Sequence, residues 1–136
     1  MTVMLDTDTC IDFMRGKFPL VAERLKELVP EEVLISSIVK AELLLGAQKS
    51  KSPAHAKQLA KKFLSPFRIV PFDDAATEHY ATIRADLEQR GVKIGPNDLL
   101  IAATALSLQA TIVTRNVSEF SRVEGLQVET WAEIKK

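Results

Sequence analysis

A few acidic side chains stand out for the company they keep. Asp6 follows directly on the apolar run Thr2-Val3-Met4-Leu5. Glu42 is set among Val39, Ala41, Leu43, Leu44 and Leu45. Helix periodicity leaves it a narrow polar slot there, and a Glu is rarely buried without a partner. Asp98 opens a very apolar segment, and Asn116 and Glu119 follow the run Thr111-Ile112-Val113-Thr114. Asp6 and Glu42 lie 36 positions apart, and Asp98 a further 56, so only a tertiary fold could unite them. Two unit charges at 4 Å repel by ~4 kcal/mol at an effective dielectric of 20. A bound cation offsets that cost. An all-oxygen set, with no Cys and no paired His, favours Mg²⁺ or Mn²⁺ over Zn²⁺. Such a cation strengthens water as a nucleophile and stabilises charge on a phosphoryl oxygen. The matching substrate is a phosphodiester or a phosphate ester.

Each of these residues also has a local explanation. Asp6-Thr7-Asp8 is suited to cap a helix. Asn97-Asp98, after Gly95-Pro96, reads as an N-cap pair. Asn116-x-x-Glu119 has capping-box spacing, with Asn in place of Ser or Thr. Cys10, the single cysteine, reads as a small hydrophobe and can build neither an internal disulfide nor a thiolate metal site. His55 and His79 lack metal-ligand spacing. Lys49, Lys51, Lys57, Lys61 and Lys62 fall in the stretch from Gln48 to Arg68, which holds no acid. That stretch is either a solvated face or a surface for a polyanion.

The elements that must position these groups alternate between strand and helix. Short apolar strands are predicted at Thr2–Leu5, Val33–Ile35, Arg68–Val70 and Thr111–Thr114, with a fifth at Leu126–Glu129. Helices are predicted from Thr7 to a stop at Gly16, from Pro19 to Pro30, and from Ile38 to Lys49 behind a Ser36/Ser37 cap. A fourth helix begins at Ser52-Pro53, with Ala56, Leu59, Ala60 and Phe63 as its buried stripe. A fifth, capped by Asp73 or Asp74, carries Ala76, Tyr80, Ile83 and Leu87 inward and ends at Gly91. The helix Leu99–Leu108 is apolar on nearly every side and belongs at the centre. Trp131 should pack the end of the chain onto the core. This alternation implies a single α/β domain over 1–136, with a central, mostly parallel sheet of four to five strands flanked by helices. In such sheets the working site lies at the carboxyl edge of the strands.

Length, at 136 residues, and a hydrophobic share of 46% fit one folded domain. Eighteen basic and 18 acidic side chains balance, which excludes a globally basic nucleic-acid binder but not a local patch. No apolar run reaches the ~18–20 residues of a membrane span, and no signal-peptide pattern opens the sequence. The expected compartment is the cytoplasm.

The sequence resembles the PIN-domain ribonucleases, specifically the VapC toxins of bacterial toxin–antitoxin pairs. The matching stretches are Met4-Leu5-Asp6-Thr7-Asp8-Thr9-Cys10, Ile35 to Leu43, Gly95 to Ala103, Thr114 to Phe120, and the turn Val123-Glu124-Gly125-Leu126. Together they run in family order along essentially the whole chain. The resemblance implies a Mg²⁺- or Mn²⁺-dependent endoribonuclease that leaves 5′-phosphate and 3′-hydroxyl ends. Asp6, Glu42 and Asp98 would be its acidic metal-site residues. Asp8 stands where the family usually has Asn. The fourth acidic position falls at Asn116, where many PIN domains have Asp, or at Glu119. Thr114 would hydrogen-bond a carboxylate or a water. The resemblance further implies a structured RNA target such as a tRNA, a homodimer, and a cognate antitoxin that blocks the site. The five lysines are the candidate RNA contacts.

Two other readings compete. Asp6-Thr7-Asp8-Thr9 after a strand also resembles the nucleophile motif of haloacid-dehalogenase-type phosphatases, with Asp6 attacking phosphorus and Asp8 as acid and base. The chain is short for that fold and Glu42 would have no role in it. The other alternative is an inactive PIN-like module that only binds RNA or protein.

Overall fold

The computed structural model describes residues 1–132. Five strands, β1 (Val3–Leu5), β2 (Val33–Ser36), β3 (Arg68–Val70), β4 (Thr111–Val113) and β5 (Val128–Glu129), form one sheet in the order β3-β2-β1-β4-β5. All its pairings are parallel. β1 and β2 are buried along their whole length. That explains their unbroken apolar character, since a central parallel strand meets helices on both faces.

Local chemistry sets the helices. Asp6 N-caps α1 (Thr7–Met14) by accepting from the Thr7 N–H at 2.8 Å, and Gly16 follows at φ +68°, a backbone state glycine adopts freely. Pro19 opens α2 (Pro19–Glu27). Ser36 caps α3 (Ser37–Gln48) through the Ile38 N–H. Ser52 precedes α4 (Pro53–Leu64) without a side-chain cap bond. Asp73 caps α5 (Asp74–Gln89) through Ala76. Six residues of α6 (Pro96–Ser107) are buried, as its all-round apolar sequence requires. A short α7 (Val117–Phe120) follows β4, with Phe120 fully buried.

Chain order explains where the site lies. The chain runs β1, β2, β3 to one side, then returns through α5 and α6 to β4 and β5 on the other. β1 and β4 therefore flank a topological switch point, where parallel sheets open a crevice at their carboxyl ends. Leu5 is in register with Val113, so Asp6 and Thr114 emerge side by side. Trp131 is buried against the core, as expected.

One part of the predicted core is not covered. Ala60 and Phe63 of α4 are buried, but Leu59 is 51% exposed. Phe63 stacks between Phe13 and Phe67, with ring centroids 5.4 Å apart in each pair. This rotates the buried stripe of α4 towards Phe63 and Leu64 and leaves Leu59 at the edge of a groove.

Candidate active site

Asp6 is the best-buried carboxylate of the cluster, at 6% exposure. One oxygen accepts from the Thr7 N–H and the other from the Thr114 hydroxyl at 2.8 Å. Thr114 is fully buried and its oxygen in turn accepts from the Asn116 N–H at 3.0 Å. Burial, with Asp8 close by, pushes the Asp6 carboxyl up to about 6. Its bond to Thr7 is a genuine helix cap, so the local explanation holds in part. Capping uses one oxygen and leaves the charge facing its neighbours.

Asp98 does not cap. The N-cap of α6 is Gly95, with no side-chain cap bond, and Asp98 sits in the first turn. Burial first, then the charges of Asp6 and Glu119, push its carboxyl up to about 7. Glu42 contributes to the field at both Asp6 and Asp98. It is half-buried on α3 and accepts from the Thr7 hydroxyl at 3.0 Å. The polar slot inferred from its apolar neighbours is thus filled by a contact to α1.

Asn116 and Glu119 do not form a capping box, because Asn116 makes no side-chain cap bond to α7. Its amide instead donates to Glu119 at 2.6 Å, and the other Glu119 oxygen accepts from the Gly95 N–H. These bonds hold the Glu119 carboxyl below its ordinary range. A Cβ on Gly95 would lie 3.4 Å from Glu119 Oε1 and 3.5 Å from Asp98 Oδ2, so the two carboxylates meet over this glycine.

The donor set is all oxygen, which suits Mg²⁺ or Mn²⁺. Among the described residues, however, no three acidic, His or Cys side chains converge as a ready-made metal site. The carboxylate oxygens of Asp6, Glu42 and Glu119 are turned to Thr7, Thr114, Gly95 and Asn116 rather than to a common point. The acids share one electrostatic neighbourhood with their oxygens tied to protein donors.

Sequence reasoning missed two participants. Asp12, one turn beyond Asp8 on α1, is 2% exposed and pairs with Arg115 Nε at 2.7 Å. Asp8 accepts from the Thr9 hydroxyl and the Arg115 N–H. The i, i+4 spacing of Asp8 and Asp12 was the available signal, since it puts both acids on one helix face. Cys10 is buried, with its thiol pushed up by burial and the nearby carboxylates. His55 and His79 are exposed.

All five candidate lysines are exposed, and among the described residues no hydrogen bond or ion pair ties them to Asp6, Glu42, Asp98 or Glu119. A groove of about 390 Å³ runs from Glu42 between α1, α3 and α4, past Ile11, Met14, Ala56 and Leu59. Lys57, Lys61 and Lys62 do not line it.

A family model described as PIN domain matches residues 3–126. The chain belongs to the PIN-domain family. Ribonuclease VapC2 of Rickettsia felis is 41% identical over 133 residues, covering 96% of this chain and 98% of the relative. The tRNA(fMet)-specific endonuclease VapC of Salmonella typhimurium is 38% identical over 128 residues, covering 94% and 96%. Among solved structures, a chain of VapBC2 from Rickettsia felis bound to a DNA fragment from their promoter superposes with a TM-score of 0.90 at 38% identity. That match covers 96% of this chain and 99% of the other. A PIN-domain match over residues 3–126 sets the chain in a family other than the haloacid-dehalogenase-type phosphatases. Asp8 accepts from the Thr9 hydroxyl and the Arg115 N–H instead of standing free as an acid. Among the described residues of this PIN domain, no helix is long and apolar enough to cross a membrane.

Proposed function

We propose that this VapC-branch PIN domain is the toxin of a toxin–antitoxin pair, a Mg²⁺- or Mn²⁺-dependent endoribonuclease. The observation that carries this reading is that Asp6, Glu42 and Asp98, from three separate elements, share one electrostatic neighbourhood, where burial first and neighbouring carboxylates second raise the Asp6 and Asp98 carboxyls. Holding such a cluster is costly unless a cation offsets it. Relatives called ribonuclease or tRNA endonuclease over nearly the whole chain support the same activity.

Asp6 and Asp98 would hold the ion, with Glu42 completing the shell or orienting the attacking water. Bound there, the ion supplies an activated water and neutralises charge developing on the phosphoryl oxygens. Thr114 fixes the Asp6 carboxylate by its hydroxyl. Asn116 and Glu119 position water or an outer ligand from the α7 side, and Glu119 holds Gly95, and with it the start of α6, in place.

The target is a structured RNA, with a tRNA the first candidate. Lys49, Lys51, Lys57, Lys61 and Lys62 would contact its backbone at a distance from the acids. The groove beside Glu42, with exposed Leu59 at its edge and Phe13 and Met14 also exposed nearby on α1, suits the apolar segment of a cognate antitoxin that blocks the site. A homodimer is proposed on the family resemblance. The test is cleavage of an initiator tRNA transcript by the purified chain with Mn²⁺ and with a chelator. Cleavage that needs the ion, and is lost separately in Asp6→Asn and Asp98→Asn, supports the proposal. A folded chain that binds the transcript but never cuts it establishes the binding module instead.

A further inference from the structure

Two arginines away from the carboxylates, Arg90 and Arg84, spend several of their donors internally. Arg90 donates three times, twice to Asp86 and once to the Arg122 carbonyl. Arg84 bonds both Tyr80 and Glu88 and lies over the Tyr80 ring. Arg115 differs. Among the described residues its guanidinium makes a single bond, from Nε to buried Asp12, and its side chain stays 47% exposed. A guanidinium carries five N–H donors in a planar fork. Bonding through Nε leaves the two Nη groups, which can match two oxygens of a phosphate, uncommitted on a half-exposed side chain.

The position of this edge is set by the site itself. Arg115 follows Thr114, whose hydroxyl bonds Asp6, and precedes Asn116, which bonds Glu119. Its own N–H is anchored on Asp8 at 3.1 Å. Asp12 lies one helical turn beyond Asp8, about 5–6 Å along α1. The guanidinium is thus pinned on the Asp8–Asp12 face of α1, beside the carboxylate cluster. A bond to a buried acid fixes the side chain in advance, so little conformational freedom is lost when a ligand arrives.

We propose that Arg115 is an RNA-binding residue whose Nη edge takes the phosphate next to the one cleaved, with Asp12 as the positioning residue that aims it. The proposal rests on the reading of the chain as a ribonuclease. It assigns backbone recognition near the cut to Arg115 and leaves the distant lysines to bind the rest of the RNA.

The test measures anisotropy of a fluorescein-labelled initiator tRNA in EDTA, from 50 to 200 mM salt, with the full chain carrying Asp98→Asn to prevent cleavage. Into this background go Arg115→Lys and, separately, Asp12→Asn with Arg115→Gln, a pair that leaves no stranded buried charge. The paired variant should bind about tenfold more weakly, and its salt dependence should flatten by ~0.7–0.9 in the log–log slope, the signature of one lost phosphate contact. Arg115→Lys should keep the slope and bind about threefold more weakly, because a point charge replaces the fork. A purely structural role would change melting temperature and leave both binding parameters alone. Wild-type affinity and slope in the paired variant would overturn the proposal. So would an unchanged affinity in Arg115→Lys, should the paired variant fail to fold. If the chain without Arg115 substitutions binds no RNA and the wild type cuts none, the ribonuclease reading itself falls, and this proposal with it.

Discussion

Replacing Asp98 by Asn should stabilise the chain at pH 8 when divalent ions are chelated. The carboxyl is raised from 3.8 to about 7 by burial and by the charges of Asp6 and Glu119. An acid that titrates higher in the folded chain than in the unfolded one binds its proton more tightly when folded. The stability it contributes is complete below about pH 4 and is lost as pH rises through about 7. Taken whole, a rise of about three units corresponds to about 4 kcal/mol at 1.36 kcal/mol per unit. Asp98 is only partly shielded from solvent, and screening cuts this to roughly 1.5–2 kcal/mol. Asn also forfeits a favourable charge in the first turn of α6, roughly 0.3–1 kcal/mol, but breaks no cap bond, because Asp98 makes none. The balance is a gain of about 1 kcal/mol, or roughly 3–5 °C in melting temperature at this chain length. Circular dichroism melts in EDTA at pH 5 and pH 8 read it directly. The variant should melt above the wild type at pH 8, and the difference should shrink towards zero at pH 5. Adding Mn²⁺ at pH 8 should raise the wild type and leave Asp98→Asn nearly unmoved. A variant that melts lower than the wild type at pH 8 in EDTA would refute the reasoning and assign Asp98 to the helix start alone.

Thr114→Val strands an Asp6 oxygen and the Asn116 N–H, so it should cost about 1–3 kcal/mol in urea unfolding. It should also move the acid limb of the cleavage pH profile upward, since the hydroxyl lowers the Asp6 carboxyl. In the wild type at limiting Mn²⁺, cleavage should rise with pH between about 5.5 and 7.5, as Asp6 and Asp98 lose their protons; a flat profile there would count against both as ion ligands. Leu59→Glu adds charge to a side chain already exposed, so stability should change by less than ~0.5 kcal/mol. In pull-downs with a co-expressed cognate antitoxin, the same variant should lose most of the complex. Ala103→Leu overfills the fully buried centre of α6 and should cost about 1–3 kcal/mol by chemical denaturation.

The sequence made the strand–helix order legible because each strand is a short, unbroken apolar run and each helix carries a local start or stop. Asp73, Ser36, Pro19, Gly16 and Gly91 act where they were expected to. Asp6, Glu42 and Asp98 stood out for a related reason, as charges beside strand ends or inside apolar helices. Leu59 was read as core because a 3.6-residue period identifies a stripe but not whether a neighbour covers all of it. Here Phe13, Phe63 and Phe67 take the packing, and Leu59 is left at the groove. The i, i+4 spacing of Asp8 and Asp12 marks a shared helix face but not the partner Arg115, whose pairing with Asp12 spans 103 positions; only the register of β1 with β4 brings α1 beside the loop after β4. The bond between Asn116 and Glu119 escaped notice because capping-box spacing and a contact to Gly95 use the same residues. Tertiary proximity, which the spacing does not encode, decides between them.

The claim on which the rest depends is that acids from three distant elements close on one divalent ion. Anomalous diffraction at the manganese edge, from crystals of the full chain grown with Mn²⁺, tests it most directly. A single strong peak should lie within about 2.0–2.3 Å of carboxylate oxygens from Asp6 and Asp98, with Glu42 turned towards it. Crystals with no manganese between these residues, from a chain that still cuts RNA in the presence of a chelator, would contradict it.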